Sequence, residues 1–381
     1  MKHNKLNKLC LAIAATGLVA GYTTAASAFT ITGGDNTKVD IYGYVKADVR
    51  YDLGESLGST SPAADIGSVL TTPAANANET NGHLSFTSQQ TRLGFNFTQG
   101  TDMGDVKAKL EGDWASGGAN YAFRIRHAYV EWQGILVGQT WTNFTSWNDW
   151  ADTLDWDGPS GHAGGFRHGQ IRYTMASSAG TLSVAMEQPQ SGDLDGTGAK
   201  GQVPDLTARF EGKAGMINYA VGALGRQYKT DTPNGNNDTA NGWGAMANIS
   251  IALDSGTTLR AGILHGKGLG SYMYPGTFKG AYVDSTGKIQ TLKQTGANLS
   301  ASQALTSNSD LTLSYGYTKS DVDPMASATT HKKEQNAYLT YTISPVKHLM
   351  YGVEFAHYWV TDEVGRTGNA NRLQFSAKYS F

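Results

Sequence analysis

Apolar and polar residues alternate one for one along much of this chain. Leu93, Phe95 and Phe97 interleave with Arg92, Gly94 and Asn96, and Leu311, Leu313, Tyr315 and Tyr317 with Thr312, Ser314, Gly316 and Thr318. Leu373, Phe375, Ala377, Tyr379 and Phe381 do the same with Arg372, Gln374, Ser376, Lys378 and Ser380. A period of two belongs to a β-strand with unlike faces. Sixteen runs of this kind are predicted: 38–50, 82–98, 104–115, 121–133, 134–141, 168–177, 180–189, 203–213, 215–228, 242–253, 256–267, 291–304, 309–319, 333–344, 347–361 and 370–381. Most come near the roughly 9–11 residues a tilted strand needs to cross a bilayer.

Alternation alone also fits a soluble sandwich, whose apolar face would be a core. The connections separate the two readings. Long ones (51–81, 142–167, 190–202, 229–241, 268–290, 320–332 and 362–369, with 116–120 short for its class) alternate with tight turns. Such turns include Gln133-Gly134, Ala214-Gly215, Asp254-Ser255-Gly256 and Ser344-Pro345-Val346. Strands that cross a membrane end on alternating sides, so loops and turns sort by parity. A sandwich gives no reason for that sorting. The expected fold is therefore all-β: a transmembrane 16-stranded antiparallel β-barrel, which satisfies every backbone group as hydrocarbon requires. Tyr42, Tyr44, Tyr51, Trp114, Tyr121, Trp132, Tyr219, Tyr228, Trp243, Tyr338, Tyr341, Tyr351, Tyr358 and Trp359 cluster near run ends and suggest interfacial girdles. Ordinary β-propensity is the competing explanation.

One stretch departs from alternation. Between the runs ending at Trp141 and starting at His168, residues 142–167 are dense in Trp, Asp and Gly. We read this as a loop folded back into the barrel as a constriction.

Composition adds an address. Lys2, Lys5 and Lys8, an apolar run Leu9–Ala20 and Ala26-Ser27-Ala28 make residues 1–28 a secretory signal peptide, leaving 29–381 as the barrel. Cys10, the one cysteine, would leave with it, so no disulfide framework is expected. The leader takes three of the 30 basic residues and no acids, which leaves 27 against 32 Asp+Glu. A mildly acidic chain is not a nucleic-acid binder by its field. No apolar run near 18 residues follows the leader, so no transmembrane helix is expected. The terminal Phe381 closes an alternating run, as a signal to a barrel-assembly machinery would. Lipid and lipopolysaccharide of a Gram-negative outer membrane are then the surroundings.

A sixteen-stranded barrel is wide enough for a water channel. Arg92, Arg124, Arg126 and Arg172 fall on polar faces around residues 142–167, with Arg167 at the loop end. Guanidinium forks match carboxylates two bonds at a time, so a small anionic solute is the sharper hypothesis. Pairing of these arginines with Glu111, Asp113 or Glu131 is the plainer one. Asp149, Asp152, Asp155 and Asp157 lie among Trp141, Trp147, Trp150 and Trp156, an inventory that binds sugars or fastens the loop to the arginine-bearing wall. Fastening is preferred, because a loop inside a channel needs it. Lys46, Lys107 and Lys109 also fall on the lumen side. No nucleophile elbow, metal spacing or phosphate loop appears, so no enzyme, cofactor or metal is expected. A barrel-borne hydrolase using Ser146, or an adhesin, is the alternative from another class. A plugged receptor is not expected, since no plug-sized segment precedes the first run.

The stretches KVDIYGYVKADVRYD, QQTRLGFNF, KLEGDWA, FRIRHAYVEW, LVGQTWTNF, TLDWDGPSG and RHGQIRYT resemble the DcaP-like family of Gram-negative outer-membrane porins, up to about Thr174. The resemblance implies a sixteen-stranded homotrimeric barrel, small anions such as dicarboxylates as solutes, and Arg124, Arg126, Arg167 and Arg172 as pore residues. Some members carry a coiled coil before the barrel, for which residues 29–37 are too short. The expected function is thus an outer-membrane porin for passive diffusion, favouring anions, with a sugar-selective or general-diffusion porin as the alternative.

Overall fold

The computed structural model describes residues 29–34, 36–58, 63–72, 82–116, 121–231 and 237–381. The leader predicted over 1–28 lies outside them. Sixteen antiparallel strands form the wall. They are β1 Thr37–Asp52, β2 (His83–Thr87 with Arg92–Gln99), β3 Val106–Ser116, β4 Ala122–Trp132, β5 Ile135–Trp141, β6 Arg167–Ser177, β7 Gly180–Glu187 and β8 Asp205–Ala214. The second half contains β9 Ile217–Thr230, β10 Asp238–Ala252, β11 Thr257–Lys267, β12 Lys293–Thr306, β13 Ser309–Ser320, β14 His331–Val346, β15 Leu349–Asp362 and β16 Thr367–Ser380. Each pairs with its neighbour in sequence. The circle closes where β1 meets β16, from Tyr44 opposite Ser380 to Asp52 opposite Arg372. One pair further on, Gly43 and Phe381 exchange backbone bonds of 3.1 and 3.0 Å. Just beyond, a short strand Phe29–Thr32 pairs with Lys38–Ile41 of β1.

Alternation decides which face meets what. In β1, Val45 and Tyr51 point outward and are exposed, while Lys46, Asp48, Arg50 and Asp52 point inward and are buried. The same parity runs round the wall, with Val137, Ile263, Leu313, Phe355 and Phe375 among the outward apolar residues. Such a surface suits lipid and not water.

Two expectations need correction. The single run 82–98 is broken: Ser88–Thr91 turns out of the ladder, and the Thr91 hydroxyl takes the Lys46 N–H (3.2 Å) that a continuous β2 would have bonded. Five aromatics assigned to girdles point inward instead, because parity outranks position along the strand. Tyr42 donates to Glu111 (2.7 Å), Tyr228 to the carbonyl of Gly268 (2.9 Å) and Tyr338 to that of Gly158 (2.9 Å). Tyr44 lies under Arg92, and Tyr358 packs edge-on against Tyr338. Tyr51, Trp132, Trp243, Tyr351 and Trp359 do face outward.

The interior is partly filled. Leu224, Met246 and Leu264 of β9–β11 form a buried apolar cluster with Phe144 and Ala163 of the loop 142–166 and Tyr272, Met273 and Phe278 of the connection 268–292. A second cluster sets Leu57, Ala64, Ile66 and Val69, from the described part of the connection 53–82, against Tyr338, Tyr358 and Val360. These segments cover much of the inner wall and leave Arg92, Lys109 and Arg124, on β2 to β4, partly exposed to the lumen.

Leu313 and Ser314 test the parity directly. Leu313→Arg puts a charge in hydrocarbon and should cost about 2–4 kcal/mol near mid-membrane. Urea titration of the barrel folded into lipid vesicles reads this as an unfolding midpoint well below wild type.

Candidate pore constriction

The basic wall begins at a hairpin. Gln133 and Gly134, both at positive φ (52° and 80°), make the tight turn between β4 and β5. Above it, β4 carries an extra residue: Gly112 and Glu111 of β3 face Ile125 and His127, leaving Arg126 as a bulge. Arg124, Arg126 and His127 therefore all reach the lumen side, which simple alternation would forbid. Outside, Gln139 of β5 donates to the carbonyls of Ile125 (3.0 Å) and Arg126 (3.4 Å).

Inside, the arginines meet two acids. Arg124 holds Asp113 through both oxygens (2.8 and 3.3 Å), and Arg126 bridges Glu111 (2.8 Å) and Asp113 (2.8 Å). Arg92 approaches Glu111 at 3.4 Å. Arg167 lies against the same group, stacked on Trp141 at 4.5 Å, with no acid within ion-pair distance among the described residues. Four guanidiniums thus face two carboxylates, and the local balance is positive. Arg172 points inward lower on β6, again without an ion pair among the described residues. Glu131 lies opposite Lys107 in the ladder and forms no ion pair with these arginines among the described residues.

The loop 142–166 enters the lumen and is fastened along the wall opposite. Its N–H at Asn143 donates to Glu187 (2.7 Å), and Arg209 donates to the carbonyls of Asn143 and Thr145. Asp149 accepts from Asn298 (2.9 Å) and Asn248 (3.3 Å), and Asp152 pairs with Arg260 (3.0 Å). Glu354 of β15 accepts the N–H groups of Leu154 (2.7 Å) and Asp155 (2.8 Å). Asp155 accepts from the Ala64 N–H (3.0 Å) and lies 3.6 Å from Arg372, while Asp157 accepts from Tyr274. Burial pushes the Asp157 carboxyl up to about 7, and the neighbouring Asp155 adds to the rise. The four loop acids engage β10–β12, β16 and two other connections, not the basic wall of β2–β4 that the sequence suggested for them.

Close approach is built into the wall opposite. A Cβ on Gly316 of β13 would lie 2.1 Å from the Ser160 nitrogen, and one on Gly161 would lie 2.5 Å from the carbonyls of Ala297 and Tyr317. Only hydrogen at these positions lets loop and wall touch. Sequence reasoning missed these seats, and it missed Arg209, Arg260 and Glu354 as partners. Their inward parity was visible; their pairing with a loop some 60 to 200 residues away in sequence was not. Trp156 alone among the loop's indoles reaches the basic wall, its ring 4.9, 5.5 and 5.8 Å from the guanidinium carbons of Arg126, Arg124 and Arg92.

Comparison with known proteins bears on this arrangement. A family model described as DcaP outer membrane protein matches residues 5–381. The crystal structure of the outer membrane channel DcaP of Acinetobacter baumannii is similar at 26% identity and a TM-score of 0.81, over 92% of this chain and 99% of that one. OmpT of Vibrio cholerae (10% identity, TM-score 0.59, 93% and 100% covered) and an anion-selective porin from Comamonas acidovorans (13%, 0.57, 91% and 100%) share the fold. No curated sequence relative matches.

Filling one glycine seat should dislodge the loop without touching the arginines. Gly316→Val drives a side chain into Ser160. Single-channel conductance in planar bilayers should rise above wild type as the loop is displaced from the wall.

Proposed function

This chain belongs to the DcaP outer-membrane protein family, and from that footing we propose a passive porin that admits small hydrophilic solutes and prefers anions, carboxylates among them. The observation that carries the reading is the surplus of guanidinium over carboxylate at the constriction, Arg92, Arg124, Arg126 and Arg167 against Glu111 and Asp113. A surplus set in low-dielectric walls concentrates counter-ions along the path. Arg167 and Arg172 keep their forks free of acids among the described residues, so a carboxylate can take two bonds from either. The loop acids support the same sign, since they are engaged by wall residues and by the other two connections and not by the basic wall. That engagement also weighs against a sugar site built from Asp and Trp.

The wall supports a homotrimer. β5 has seven residues and β7 eight. At about 3.3 Å per residue and a tilt near 45°, seven residues rise only about 16 Å, short of an apolar band about 25 Å tall. β4 pairs with β5 only from Ala128 to Trp132, which leaves its upper edge outside the ladder. Lipid does not tolerate such an edge, whereas a second copy of the chain covers it.

Reversal potentials under a KCl gradient test the selectivity. Wild type should pass chloride in preference to potassium, and Arg124→Ala with Arg126→Ala, which leaves Arg92, Arg167 and Lys109 against two acids, should weaken the preference. Cation preference in the wild type would sink the reading.

Assembly is tested separately. Val137→Arg, on the outward face of the short β5, should convert detergent-solubilised trimers to monomers by light scattering. Ile263→Arg, on β11, should leave the assembled mass unchanged.

A further inference from the structure

The loop is held to the two sides of the lumen by different chemistry. Toward the wall opposite, it uses hydrogen bonds and ion pairs, as at Asp152 with Arg260 and Leu154 with Glu354. Toward the basic wall it uses one indole. Trp156 lies within 5.8 Å of three guanidinium carbons, and no ion pair joins a loop carboxylate to those arginines among the described residues. Yet acids are close in sequence on both sides, at Asp155 and Asp157, and each is turned elsewhere, to Arg372 and to Tyr274.

An aromatic face attracts a guanidinium through its quadrupole and carries no net charge. A carboxylate in the same place would dock the loop at least as firmly, but it would cancel one of the two surplus positive charges. We propose that Trp156 is a positioning residue for selectivity: it docks the constriction loop on Arg92, Arg124 and Arg126 while leaving their surplus charge to the permeating anion. The inference rests on the anion-porin reading and adds a residue to it. The aperture is set on one side by a contact without charge, so width and sign are controlled independently. Loss of the ring slackens the loop tip and widens the path. Exchange of the ring for an acid keeps the tip docked and reverses part of the field.

Three variants of the full chain, recorded as single channels under a KCl gradient, test this. Trp156→Glu should lower the chloride-to-potassium permeability ratio about tenfold, because a unit charge about 6 Å away in a water-like dielectric shifts each ion about threefold in opposite directions. Trp156→Leu should raise conductance. Trp156→Phe should recover the ratio lost in Trp156→Glu and the narrower conductance lost in Trp156→Leu. A wild-type ratio in Trp156→Glu, or wild-type conductance in Trp156→Leu, overturns the proposal. If the acid prevents assembly, the Leu and Phe pair still decides through conductance. Cation preference in wild type defeats the porin reading itself, whereas anion preference with indifferent Trp156 variants defeats only this inference.

Discussion

A peptide group in hydrocarbon finds no water, so each N–H and C=O must be bonded by the protein itself. Everything else here follows from that demand. It is met by joining the first strand to the last, Tyr44–Asp52 to Arg372–Ser380, and by continuing the seam through Gly43 and Phe381. Once the sheet is closed, parity sorts side chains into a lipid face and a lumen face with no freedom left. The buried charges of β1 and β16, such as Arg372 held by Asp52 at 2.6 Å, are a product of that sorting. They share an enclosed wet space and neutralise one another there.

The lumen is narrowed by the same economy of contacts. Asp149 and Asp152 of the loop 142–166 bond wall residues in place of facing the path, and Phe144 and Ala163 pack with Tyr272, Met273 and Phe278. Space left for solute is therefore what the loop does not occupy, beside Arg92, Lys109 and Arg124 of β2 to β4. There the bulge at Arg126 sets three side chains of β4 on the lumen side, Arg126 and His127 buried and Arg124 partly exposed. The cluster of guanidiniums arises from a local departure from regular sheet, on a scaffold that elsewhere follows it closely.

Sixteen strands could be read from the chain because a two-faced sheet in lipid writes its period into every crossing; β13 and β16 show this plainly. The break at Ser88–Thr91 left a trace that the run-level reading passed over: apolar residues fall on even positions at Leu84 and Phe86, on odd ones at Leu93 and Phe95, and Thr87 to Arg92 between them are polar. Arg92, Arg124 and Arg126 were legible as lumen residues, but His127 was not, because the bulge shifts its parity. Asp149, Asp152 and Asp155 announced themselves as polar groups in need of partners. Which partners depended on contacts such as Leu154 to Glu354, two hundred residues apart, and no local pattern encodes a distance of that kind. Tyr42 and Tyr338 misled for a related reason: an aromatic near a strand end looks the same whether it meets a headgroup or a buried carbonyl.

The glycine seats on the inner wall have a consequence for the order of events. Gly316 and the carbonyls of Ala297 and Tyr317 form one half of a socket whose other half is Ser160 and Gly161. The wall half exists as a surface only once β12 and β13 are side by side. The loop, in the middle third of the chain, meets Glu187 and Arg209 on strands that follow it closely, yet its tip has no socket until these later strands are paired. The aperture is thus completed by wall that is translated well after the segment that narrows it.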